Sequence, residues 1–161
     1  MNSSPVTRSK KFISALAALL LCLLLAGCEY EAPITATPTR EIDAGLLGDW
    51  VAMDSTNSPM KVRRLDATGY AIFHDGKLYR AWHSEVAGLP LVSVQEIESK
   101  QRTFAYLSYA LSDDGRRLTL RVANDKVVPD ETKDSASVKK LFEQHARNPA
   151  LFGAPFVYLR P

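Results

Sequence analysis

Three histidines, two cysteines and a few neighbouring carboxylates are the residues of this chain that could carry chemistry. Their settings argue against a reaction. His74 precedes an Asp75-Gly76 turn, His83 stands beside Trp82 in a strand-like run, and His145 completes the apolar side of a helix. A zinc site needs at least three such ligands to converge. The chain has no His-Glu-x-x-His, no Gly-x-Ser-x-Gly and no glycine-rich phosphate loop. Glu96 and Glu98 share one face of a strand end. Glycosidase carboxylates instead flank a cleft, ~5–10 Å apart, and come from different elements. Asp113-Asp114-Gly115 lacks the spaced oxygen ligands of a calcium loop and reads as a turn. Arg63-Arg64 and Arg116-Arg117 each split across two faces of a strand, so neither makes a basic patch. The expectation is a non-enzyme with no catalytic residue, metal site or cofactor.

The cysteines are more informative. Cys22 lies in an apolar run, residues 12–25, that follows Arg8, Lys10 and Lys11. Cys28 comes directly after the small residues that end the run. Positive, then apolar, then small is the order of a secretory signal. The run is shorter than the ~20 residues that span a bilayer. Arg8-Ser9-Lys10-Lys11 has no adjacent arginines, which points to the general secretory route. Leu25-Ala26-Gly27-Cys28 resembles the lipobox of bacterial lipoproteins. The resemblance implies that residues 1–27 are removed and that a diacylglyceryl group joins the Cys28 thiol. The protein would then be lipid-anchored in the cell envelope. Glu29, where inner-membrane lipoproteins carry Asp, implies the outer membrane, facing the periplasm.

Without Arg8, Lys10 and Lys11, the 20 basic residues fall to 17 against 18 acidic ones, a net charge of −1. No basic surplus then calls for nucleic acid. With Cys22 discarded and Cys28 acylated, no thiol remains for a disulfide, and the domain must stand on its core. Residues 28–44, with Pro33 and Pro38 and no apolar period, are expected to be a flexible tether. A coil of about 16 residues reaches roughly 20–25 Å. Residues 45–161 are expected to form one domain, monomeric in solution.

Short alternating segments separated by tight turns fill that domain. They run over 50–52, 61–65, 70–73, 78–86, 89–97, 103–111, 117–123 and 156–160. Ala105, Leu107, Tyr109 and Leu111 share one face, as do Leu118, Leu120 and Val122. Asp75-Gly76 is a two-residue hairpin signal. Strands joined in this way form an antiparallel meander, and closing it into a barrel of about eight strands hides the edges. One helix interrupts before the last strand. Asp134 or Ser135 caps it, Val138, Leu141, Phe142 and His145 make its stripe, and Asn148-Pro149 ends it.

Gly48-Asp49-Trp50, followed by the meander and a late helix, resembles the lipocalin-like, or calycin, barrels. The resemblance implies that Trp50 closes one end of a mainly β barrel and stacks on an arginine, Arg121 or Arg160. The second lipocalin motif, Thr-Asp-x-x-Tyr, is absent. The chain is also similar to small Gram-negative lipoproteins of unsettled activity with Asn-Pro-x-Leu-Phe after the helix, residues 148–152 here. Trp50, Tyr79, Trp82 and Tyr109 are the candidate ligand-binding residues, although aromatic side chains also serve as core. Alternation allows only one of Tyr79 and Trp82, and one of Tyr106 and Tyr109, to face inward. The expected function is an anchored envelope lipoprotein that binds a small lipophilic ligand in its barrel. The alternative is an accessory protein that contacts another envelope protein through the barrel surface.

Overall fold

The computed structural model describes residues 30–161, with side chains given throughout except at 55–58. The expected signal and Cys28 lie outside the described residues. Eight antiparallel strands close on themselves: β1 (Gly48–Ala52), β2 (Ser55–Arg64), β3 (Gly69–His74), β4 (Lys77–Val86), β5 (Leu89–Glu96), β6 (Phe104–Leu111), β7 (Arg117–Val122) and β8 (Phe156–Leu159). Each strand pairs with the next, and β8 returns to β1 through Leu159–Val51 and Tyr158–Ala52. Closure gives every strand two neighbours and so covers most of the sheet's edge groups. The Asp75-Gly76 turn has φ values of 51° and 76°, the mirror-image turn whose twist matches paired strands.

β2 starts at Ser55, six residues before the expected 61. It contains Pro59, which a central strand would not tolerate. Here β3 ends opposite Met60, so Pro59 has a neighbour on the β1 side alone.

The one α-helix among the described residues, α1 (Ser135–His145), follows β7 and precedes β8. Asp134 caps it by accepting the Ser137 N–H at 2.9 Å, and that bond holds its carboxyl below the usual range. Val138 and Phe142 are its buried residues.

Alternation divides the apolar residues into two cores. Trp50, Met60, Val62, Tyr70, Ala81, Val92 and Leu118 point into the barrel. The second core lies outside, on the wall of β4, β5 and β6. There Val86, Leu91, Phe104 and Tyr106 meet Val138 and Phe142 of α1.

Tyr30 and Ile34 complete this outer core, which corrects the expectation of a flexible tether over 28–44 for its described part, residues 30–43. Tyr30 bridges Phe104 in both directions, stacks on Tyr106 with centroids 3.9 Å apart, and donates its hydroxyl to Val128 O at 2.7 Å. Tyr106 donates its own hydroxyl to Ala32 O. The Ile34 N–H donates to Ser93 Oγ at 3.0 Å, and Thr35 Oγ1 meets Ser84 Oγ at 2.5 Å. Farther on, the Thr39 N–H donates to His83 O, beyond the start of β3. The prolines hide any period, yet outward-facing serines of β4 and β5 supply the bonds that sheet neighbours would give. Residues 30–43 form a strap bound to the wall.

Candidate functional site

The two ends of the barrel differ. At one end the chain enters β1 at Gly48 and leaves β8 at Leu159. Here Trp50 is fully buried, and its Nε1–H donates to Leu46 O at 2.9 Å. The Arg160 guanidinium lies 4.4 Å from the Trp50 ring centroid. It also donates from Nε to Gly115 O at 2.7 Å and from Nη2 to Gly45 O at 2.6 Å. Arg160 therefore ties together three segments across the barrel end. Arg121, the other expected candidate, is exposed on β7. Gly48 is required where it stands. Its φ is +137°, and a Cβ there would come within 2.5 Å of Arg160 Nη1.

Just inside this sealed end is a polar cluster not foreseen from the sequence. The Asp43 N–H donates to Tyr70 Oη at 2.6 Å, and Tyr109 donates to Asp43 Oδ2 at 3.2 Å. Tyr70 Oη also lies 3.4 Å from His83 Nδ1, and His83 Nε2 is buried without a protein partner. Asp43 Oδ1 accepts the Gly45 N–H at 2.8 Å, which starts the short 3-10 turn Ala44–Leu46. Burial pushes the Tyr70 phenol up to about 12 and the His83 imidazole down. Both are neutral near pH 7, held among Trp50, Val62 and Leu118. The cluster fits a fixed plug at the sealed end. Its one sequence signal was Asp before Ala-Gly, which is cap chemistry.

The opposite end carries the β1–β2 and β3–β4 turns and the 97–103 connection. Inward-facing Ile72, Val94, Leu107, Leu120 and Tyr158 are half-buried, as are Tyr109 and Leu111 nearer the sealed end. This end is an apolar mouth. His74 stands edge-on to Tyr158, with centroids 6.1 Å apart, and its Nδ1 is buried without a partner. Tyr79 faces inward beside Ile72 and Glu96. Burial raises both phenols, with Asp54 adding to the effect at Tyr158. Lys77 and Glu96 pair at the rim, 2.9 Å apart. An ion pair this exposed contributes little.

The four candidate aromatic residues therefore separate. Tyr79 lies at the mouth, Trp50 and Tyr109 in the sealed half, and Trp82 outside against Phe104, with Arg80 over its ring. They do not form one site. Ile72, Val94, Leu107, Leu120 and Tyr158, which line the mouth, look like ordinary strand alternation in the sequence. Two shallow depressions of about 350 and 250 Å³ lie elsewhere. One is beside Gly48, Asp49 and Arg160, and the other is between Pro38, Asp66 and Trp82. Among the described residues, no three His, Cys, Asp or Glu side chains are placed to hold a metal ion.

The geometry is that of a closed eight-stranded antiparallel barrel with one sealed end and one apolar mouth. In comparisons with known proteins, the chain matches no family model, no curated protein and no solved structure.

Proposed function

We propose that the protein is an envelope lipoprotein, anchored through acyl chains on Cys28, whose barrel takes one small lipophilic guest through its mouth. The observation that carries this reading is a closed barrel whose apolar inner wall is incompletely covered. Inward-facing Ile72, Val94, Leu107, Leu120 and Tyr158 are half-buried beside the fully packed Trp50 and Leu118. The charged groups at that end, Lys77 and Glu96, pair with each other at the rim, so a hydrocarbon chain fits the apolar wall better than a polar guest. Each buried methylene contributes roughly 0.8 kcal/mol. About ten methylenes give a gross ~8 kcal/mol, and ordering costs then leave a Kd in the micromolar range or weaker.

Native mass spectrometry and thermal shift with fatty acids of graded length test this. Bound acyl chains and a length-dependent rise in Tm are expected, and Leu120→Asp should abolish both while keeping a folded spectrum. A protein with no bound lipid and no shift at any length would leave the accessory role, contact with another envelope protein through the outer wall. Cys28→Ser tests the anchor. It should lose fatty-acid label, and equal labelling of the variant would refute acylation at this thiol.

A further inference from the structure

We infer that the mouth of the barrel is pressed against the lipid bilayer, its rim seated among the headgroups. The inference rests on the anchored reading above. It adds an orientation and a contact surface that anchoring alone does not require.

The first observation is the shortness of the link. With the strap bound to the wall from Tyr30 onward, only two peptide units separate Cys28 from the fold. These span at most about 7 Å. Tyr30 is bonded to Phe104, the first residue of β6 and hence at the mouth end. The sealed end of that strand, Leu111, is seven residues farther on. At ~3.3 Å per residue that is about 23 Å away. Acyl chains on Cys28 cannot enter a bilayer that the sealed end faces.

The second observation is what the mouth presents. Met53 is 62 % exposed, Ile97 49 %, Phe73 45 % and Leu78 39 %. All four lie at this end. Phe73 pairs directly with Leu78 across the β3–β4 hairpin, and the Ile97 N–H donates to Leu78 O at 2.9 Å. These three form a row on the outer lip, and Met53 stands on the β1–β2 turn. Large apolar side chains grouped on a surface mark a contact face. Neighbouring Lys77, Lys100 and Arg102 are offset by Asp54, Asp75, Glu96 and Glu98, so the rim has no cationic surplus. Docking is therefore driven by apolar insertion and is insensitive to the anionic lipid fraction. A guest would then pass between bilayer and barrel without crossing water.

The test uses the full acylated protein in vesicles of phosphatidylethanolamine with a minor share of phosphatidylglycerol. Cys28 is consumed by lipid, so an introduced cysteine is the one free thiol of the mature chain. Phe73→Cys and Leu78→Cys report on the rim, and Asp113→Cys reports on the sealed end. Each carries an environment-sensitive fluorophore. Nitroxide-bearing lipids should quench the rim labels several-fold more than the Asp113 label, at any protein-to-lipid ratio. Rim labels quenched by aqueous iodide as fully as the Asp113 label would overturn the docking. So would shielding that appears only at high protein density, because the face would then bind a second copy. Intact mass separates the two readings. A chain without the acyl mass refutes the anchor itself, whereas an acylated chain with its rim in water refutes the orientation alone.

Discussion

Arg160 shows how much one side chain can hold. It covers Trp50 and donates to two carbonyls, one before β1 and one after β6. Trp50→Ala should cost about 3–5 kcal/mol. Arg160→Lys keeps the charge but loses the planar fork, and it should recover only part of the stability lost in Arg160→Ala. Urea midpoints rank the three. Gly48→Ala should fall among the damaging variants, since its Cβ would displace the guanidinium. His83 sets a pH dependence. Burial lowers its folded pKa and Arg40 adds to this, while a hydrogen bond with the Glu41 backbone and the charges of Asp43 and Glu85 oppose it. The unfolded chain, with an ordinary pKa near ~6.5, then binds more protons. Stability is intact above that value and declines as pH falls through it towards the depressed folded pKa. Denaturant midpoints at pH 7.5 and 5 should show a loss that His83→Gln reduces. An unchanged slope in the variant would remove His83 as the cause.

At the scale of elements, the strap departs most from what the sequence led one to expect. Strands and helix announce themselves by alternation and by a capped stripe. Accordingly, the barrel, the Asp75-Gly76 turn and the Asp134 cap were all legible. Residues 30–43 carry no period because they bind as an irregular strand, satisfied by Ser84, Ser93 and the Tyr106 hydroxyl. Those partners lie at least 49 residues away in the chain, so no local window contains the signal. Half of the site was hidden for a similar reason. Alternation places Leu107 and Leu120 on an inner face, but not at the open or the packed end of the barrel. A chain starting at Ala44 should lose several kcal/mol against one starting at Tyr30, because the deletion uncovers Phe104 and Tyr106 and removes Asp43 from its cluster. Thermal unfolding of the two chains decides it. Equal Tm values would mean that the strap is not part of the cooperative fold.

At the scale of the whole molecule, the outer core adds a second packed layer to a modest barrel that has no cysteine among the described residues. The wall of β4, β5 and β6 is apolar on both faces, covered inside by the plug and outside by α1 and the strap. The remaining outer wall faces solvent, and there Arg63 and Asp49 pair at 2.5 Å. The molecule is therefore lopsided, with one thick side and one thin one. Amide exchange should be slowest in β5 and fastest in β8, which is short and half-buried.

Closure also fixes an order in time. Val51 pairs with Leu159, so β1 has no partner on one side until β8, more than a hundred residues later, is available. Contacts so distant in sequence place such a barrel among slow folders, in the millisecond-to-second range. A chain crossing a membrane from its N-terminus cannot close its barrel midway, whatever its stability once complete. Trp50 reports the event, since its ring is covered by Arg160 only when both termini of the barrel have met. Stopped-flow refolding should show Trp50 fluorescence changing last, after far-ultraviolet ellipticity. A Trp50 signal that leads the ellipticity would mean that the plug forms before the wall.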